Sequence, residues 1–205
     1  PVRRSSPFFW GTLAADGAAG SGGSVVVAGG HNDNLATPAT VVNSGTVSAR
    51  GEGAGAQGGA VQITGDHVGL FDNAVVDVSG DAGGGTALVG GDYHGDNPNV
   101  QNAQATFVSA GSQIRADALT QGDGGTVVVW ADQTTRFYGS ISARGGAQGG
   151  NGGFVETSGH QSLEVLGASV TAGAVNGQPG RWLLDPARDV DIMDIGILPP
   201  HGSFS

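Results

Sequence analysis

The stretch FVSAGSQIRADALTQGDGGTVVVWADQTTRFYGSISARGGAQGGNGGFVETSG, residues 107–159, carries one pattern twice. A short apolar strand is followed by a small turn, then a second strand, then a Gly-rich loop, then a third strand. Phe107-VSAGSQIRA leads through Gly124-Gly125 into Thr126-VVVW, and Phe137-YGSISA leads through Gly152-Gly153 into Phe154-VET. The strand positions favour Val, Ile and Phe, which suit a pleated, half-buried surface. Val155-Glu156-Thr157 and Ile141-Ser142-Ala143 alternate, which turns one face inward.

Working outward, the same unit recurs along the chain. Its Gly-rich part begins at Leu13, Val47, Val76, Ile114, Ile141 and Val170. The last Gly before each following strand is Gly23, Gly59, Gly85, Gly125, Gly153 and Gly180, at intervals of 36, 26, 40, 28 and 27 residues. Three intervals are nearly equal and two carry insertions. Short, weakly amphipathic strands cannot bury a core singly, but repeats that stack on one another can. The pattern therefore predicts a parallel β-helix of six or seven coils. Small inner residues (Ala49, Ala116, Ala143, Ala172) would allow tight corners, and Gly clusters would supply corners of positive φ. The alternative is a β-sandwich, which has short strands but does not require Gly at the same place in each unit. No stretch keeps a helical period.

Composition removes several classes. The 205 residues include 40 Gly, 8 Pro and no Cys; 8 basic residues, all Arg, stand against 18 acidic ones, for a net charge of −10. Nucleic-acid binding needs a basic stripe, which is lacking. No apolar run approaches the roughly 18 residues of a membrane-spanning helix. Without Cys there is neither a disulfide nor a thiolate metal site. Starting at Pro1, the chain reads as a processed form or a piece of a longer protein.

Three blocks, Gly90-GDYHG, Asn102 to Gly159 and Gly180-RWLLDP, resemble the filamentous haemagglutinin family, the large exoproteins of two-partner secretion in Gram-negative bacteria. The resemblance is ordered from about Gly90 to Pro186, and residues 13–89 follow the same unit more loosely. It implies a right-handed, single-stranded parallel β-helix, export through a dedicated outer-membrane transporter, and a final place at the cell surface or in the medium. Adhesion to host glycans or proteins, and stacking against neighbouring β-helix segments, belong to the same implication. The family's Asn motifs near the start of its secretion domain are absent, so the chain resembles shaft, with the transporter-recognition domain outside it.

The expected organisation is an N-terminal capping segment over 1–12, β-helix repeats over 13–186 with an insertion at 90–104, and a C-terminal strand and tail over 187–205. No catalytic, cofactor or metal residue is expected. Gly53-AGAQGly58 satisfies GxGxxG without the strand-to-helix setting that a dinucleotide needs. Asp185, Asp189, Asp191 and Asp194 are acidic but lack the order of a calcium loop. Asp117, Asp123, Asp132 and Arg136 form the grouping that a polysaccharide-acting enzyme would need, if they converged. The five His residues have no partner at metal-ligand spacing. The insertion GGDYHGDNPNVQNAQ is the best place for contact with a ligand, with Tyr93 and His94 as the candidate residues, because binding tends to sit on loops of rigid scaffolds. The structural alternative is that it braces the side of the helix.

Overall fold

A computed structural model describes residues 8–29 and 38–186, together with the backbone of 189–193. The chain winds through six rungs of three strands each and begins a seventh. The rungs are β1 (Phe8–Phe9), β2 (Thr12–Ala14) and β3 (Ser24–Ala28); β4 (Thr40–Asn43), β5 (Thr46–Ser48) and β6 (Ala60–Thr64); β7 (His67–Leu70), β8 (Val75–Asp77) and β9 (Thr86–Val89); β10 (Ala105–Val108), β11 (Gln113–Arg115) and β12 (Thr126–Ala131); β13 (Thr134–Phe137), β14 (Ser140–Ser142) and β15 (Phe154–Gly159); and β16 (Ser162–Leu166), β17 (Ser169–Thr171) and β18 (Arg181–Leu184). Strand β19 (Asp189–Met193) opens the next turn.

Corresponding strands pair in register to form three sheets. Sheet I runs β1-β4-β7-β10-β13-β16-β19, sheet II runs β2-β5-β8-β11-β14-β17, and sheet III runs β3-β6-β9-β12-β15-β18. Every pairing is parallel, which excludes the β-sandwich. At about 4.8 Å per rung, six rungs extend roughly 30 Å along the axis. A right-handed crossover is the hand that twisted strands favour.

Alternation and register together build the core. Val47, Val76, Ile114 and Ile141 occupy one inward column of sheet II, and Ile63, Val89 and Val129 one of sheet III. All are essentially without solvent contact. Each fully buried Val or Ile contributes about 1.5–3 kcal/mol of transfer free energy. Ala49, Ala116 and Ala143 stand at the expected inner corners and are fully buried, and Ala172 in the sixth rung is half-buried.

The Gly-rich loops are closed by a repeated device. In every rung the last Gly of the loop donates its N–H across the loop's neck to the corner carbonyl, at 2.7 Å each time: Gly23 to Ala15, Gly59 to Ala49, Gly85 to Val78, Gly125 to Ala116, Gly153 to Ala143 and Gly180 to Ala172. The same Gly accepts from the next rung through its carbonyl, as in Thr86 N–H to Gly59 O at 2.9 Å and Phe154 N–H to Gly125 O at 3.0 Å. Neck spacings of seven to ten residues are all accommodated, because only the neck is constrained.

This alters the reason for glycine. Positive φ is found at Gly55, Gly122 and Gly150 within the loops, but at no Gly of the neck pairs. There the requirement is space. A Cβ on Gly125 would lie 2.7 Å from the carbonyl carbon of Gly84 and nearer still to the Gly85 oxygen. The preceding Gly124 is pressed in the same way against Ala143 of the following rung.

Gly125→Ala is therefore expected to lower stability by about 2–3 kcal/mol through overpacking. Gly149→Ala, where a Cβ meets nothing within 4 Å, should leave the urea midpoint essentially unchanged. Equal midpoints for the two variants would refute the steric account of the neck.

Candidate functional site

The insertion at 90–104 leaves sheet III after β9 and returns to sheet I at β10. Its own neck is closed by Ala103 N–H to Gly90 O at 2.6 Å. Between these points it lies along the outer face of sheet III and reaches three further rungs. Gly95 rests against the indole of Trp130. Asn102 Nδ2 donates to Gly95 O at 2.9 Å and to Asp132 Oδ1 at 3.0 Å, and Trp130 Nε1 donates to the same Asp132 oxygen at 2.9 Å.

A single 3₁₀ turn, Tyr93–Gly95, carries both residues singled out from the sequence. Asp92 caps it, accepting from Tyr93 N–H at 2.7 Å and from Asn97 Nδ2 at 2.6 Å. Asp92 is thereby fixed at both oxygens, which holds the turn rigid. His94 has φ 54°, a left-handed conformation uncommon outside glycine. That backbone directs its N–H to Glu156 Oε2 at 3.3 Å, while its Nδ1 lies 3.0 Å from Asp185 Oδ2. His94 is thus turned against the helix and shared between two carboxylates. Tyr93 points outward, 46% exposed. Its ring meets Phe154 edge-on, with centroids 5.6 Å apart at 69°.

Glu156 was not among the residues marked from the sequence, where alternation places it on the solvent side of β15. It does point outward, but the insertion covers it and leaves it 0% exposed. One oxygen, Oε1, has no hydrogen-bond partner. Burial pushes its pKa up, against the opposing influence of Ser158 and the His94 N–H. A signal for the covered face did exist. Leu88 and Val128 share the outward column of Glu156, and successive apolar residues on an outer face imply a cover.

Beyond the brace, Tyr93, Phe154, Arg181, Asp92, Thr126 and Val128 line an open concavity of about 490 Å³. The Arg181 guanidinium lies over the Phe154 ring at 5.2 Å. Arg50, Arg115, Arg136 and Arg144 each have an acidic partner. Among the described residues Arg181 is the arginine without one.

The remaining sequence candidates are dispersed. Asp117 sits at the corner after sheet II, accepting from Arg144 N–H at 2.7 Å and the Ser142 hydroxyl at 2.9 Å. Asp123 holds the Asn151 N–H at 2.6 Å in a Gly-rich loop. Asp132 is occupied with Trp130, and Arg136 lies outside sheet I, 3.5 Å from Glu164. These four do not converge. Gly53–Gly58 is a loop corner in which Gly55 N–H donates to Asp81 at 2.7 Å. Of the acidic C-terminal group, only Asp185 has a described side chain; those of Asp189, Asp191 and Asp194, and all of His31 and His201, lie outside the described residues. No group of three His, Cys, Asp or Glu side chains suited to a metal occurs among the described residues.

No family model and no curated protein matches the sequence. Among solved structures, the chain is similar to the HMW1 secretion domain from Haemophilus influenzae. The TM-score is 0.68 at 33% identity, over 86% of this chain and 43% of that one. The chain thus spans less than half the length of that domain. The likeness is to a domain named for secretion, whereas the absence of the family's Asn motifs led to the expectation of shaft.

Glu156 binds its proton more tightly in the folded chain than a free glutamate does. Its contribution to stability is therefore greatest at acid pH and falls as pH rises through the raised folded value. Glu156→Gln keeps an acceptor for the His94 N–H. It should flatten the decline in the urea midpoint from about pH 4.5 upward, and an unchanged pH profile would remove Glu156 from the brace.

Proposed function

We propose that this chain is a non-catalytic β-helical segment of a secreted, haemagglutinin-like exoprotein, exported by two-partner secretion. It would form a rigid length of surface shaft and present the braced insertion, with Tyr93 outward, to host glycans or proteins. The observation that carries this reading is the six-rung stack with every neck closed alike, together with its likeness to a secretion domain. A stack of this kind takes its stability from contacts between adjacent rungs, and its folding can propagate from one rung to the next. That suits a chain emerging end-first from a transporter pore. The absence of Cys agrees, since no disulfide can form before passage.

A catalytic reading has less support, because the carboxylates it would use are separately engaged around the helix. The likeness to a secretion domain also adjusts the shaft reading. These rungs would lie close to the region that engages the transporter, and neighbouring β-helix segments of the longer chain would continue the stack.

In the source bacterium, antibody to this chain should label intact cells or the culture medium. Disruption of the partner outer-membrane transporter should abolish that signal and leave the protein in the periplasm. A cytoplasmic signal, or surface signal indifferent to loss of the transporter, would overturn the reading.

A further inference from the structure

We infer that the concavity between the insertion and sheet III is a binding site for a carboxylate-bearing saccharide, with Arg181 taking the carboxylate and Tyr93 the sugar ring. The inference rests on the reading that the insertion is presented outward, and it names the ligand's class.

Arg181 supplies the first part. The Arg181 guanidinium lies over the Phe154 ring at 5.2 Å, and a guanidinium fork can take a carboxylate through two parallel hydrogen bonds. Its four described counterparts already have carboxylates within the chain. Arg181 is exposed and lines the concavity, with its guanidinium over the Phe154 ring.

The shape supplies the second. At about 490 Å³ the concavity is open rather than slot-like. Tyr93 and Phe154 stand at 69° and form two walls of a corner. Such walls suit a ligand with one apolar face and a polar rim, as a pyranose has. Thr126 and the remaining lone pairs of Asp92 offer hydroxyl partners.

Charge supplies the third. The chain carries a net charge of −10, and Asp92 lines the same concavity. A densely charged polyanion would be repelled, whereas an isolated carboxylate matched to one guanidinium would not.

The walls are also fixed before any ligand arrives. Asp92 caps the Tyr93 turn, Glu156 and Asp185 hold His94 behind it, and Phe154 pairs with Arg181 across adjacent rungs. Preorganisation of this kind reduces the ordering cost of binding.

The test is titration of the purified chain with 3′-sialyllactose and with a hyaluronan tetrasaccharide, against lactose and chitotetraose as neutral counterparts. At least one acidic probe should bind saturably, with half-saturation below about 1 mM and at least tenfold more tightly than its neutral counterpart. Arg181→Gln and Tyr93→Ala should each weaken that binding at least tenfold while leaving the circular dichroism spectrum unchanged. His160→Ala, outside the concavity, should bind as the parent does. Absence of saturable binding to both acidic probes, equal binding of the neutral ones, or retention of affinity in both site variants would overturn the proposal. So would equal binding of a short peptide whose only charge is its C-terminal carboxylate. Surface labelling of the same variants in the bacterium reads the proposed export separately. A chain that is exported but binds neither acidic probe fails only the site, and a chain that binds but is not exported fails only the function.

Discussion

The hydrogen bond from the last glycine of each loop to the corner carbonyl is the constraint on which the rest of this molecule depends. It closes the loop within a rung through the glycine's N–H, and it joins that rung to the next through the same residue's carbonyl. A residue serving both directions at once must let two backbones approach more closely than a Cβ permits. This is why pairs of glycines stand at the necks of five of the six loops, and why the sixth, Pro179-Gly180, still ends in glycine. The loop beyond the neck is released from any fixed length. Register in all three sheets is then inherited from rung to rung, and the apolar columns follow from it.

Stacking of this kind couples each rung only to its neighbours. The insertion is the exception. It leaves the third rung and touches Trp130 and Asp132 of the fourth, Phe154 and Glu156 of the fifth, and Asp185 after the sixth. It therefore ties together rungs that have no direct contact, and it can do so only after all of them are in place. Burying Glu156 beneath it has an electrostatic cost, since a carboxylate with one unpaired oxygen has lost its water. The His94 N–H offsets part of that cost. The same arrangement holds Tyr93 outward and rigid beside Arg181.

Much of the architecture was legible in the residues. The repeat, the order of strand, turn, strand, Gly-rich loop and strand, and the buried alanine corners all follow from local pattern, because a parallel β-helix repeats its local rules at every rung. The purpose of the glycines was less legible: conformational freedom and close approach leave the same letter in the sequence, and nothing in it tells Gly122, which has positive φ, from Gly125, which does not. Tyr93 and His94 were readable as a point of interest, since an aromatic and an imidazole in a polar insertion break the pattern. Their division of labour was not, because it depends on which way a three-residue turn faces.

The sequence by itself determined the solenoid, its six or seven rungs and the lack of any thiol, because periodicity and composition are properties of the chain alone. Only the tertiary structure decided that Glu156 is buried although it points outward, that Asp117, Asp123, Asp132 and Arg136 stay apart, and that Tyr93, Phe154 and Arg181 meet. The last three are separated by 61 and 27 residues in the chain. They become neighbours because stacking sets residues one rung apart side by side, and because a loop that leaves the third rung comes down on the fifth.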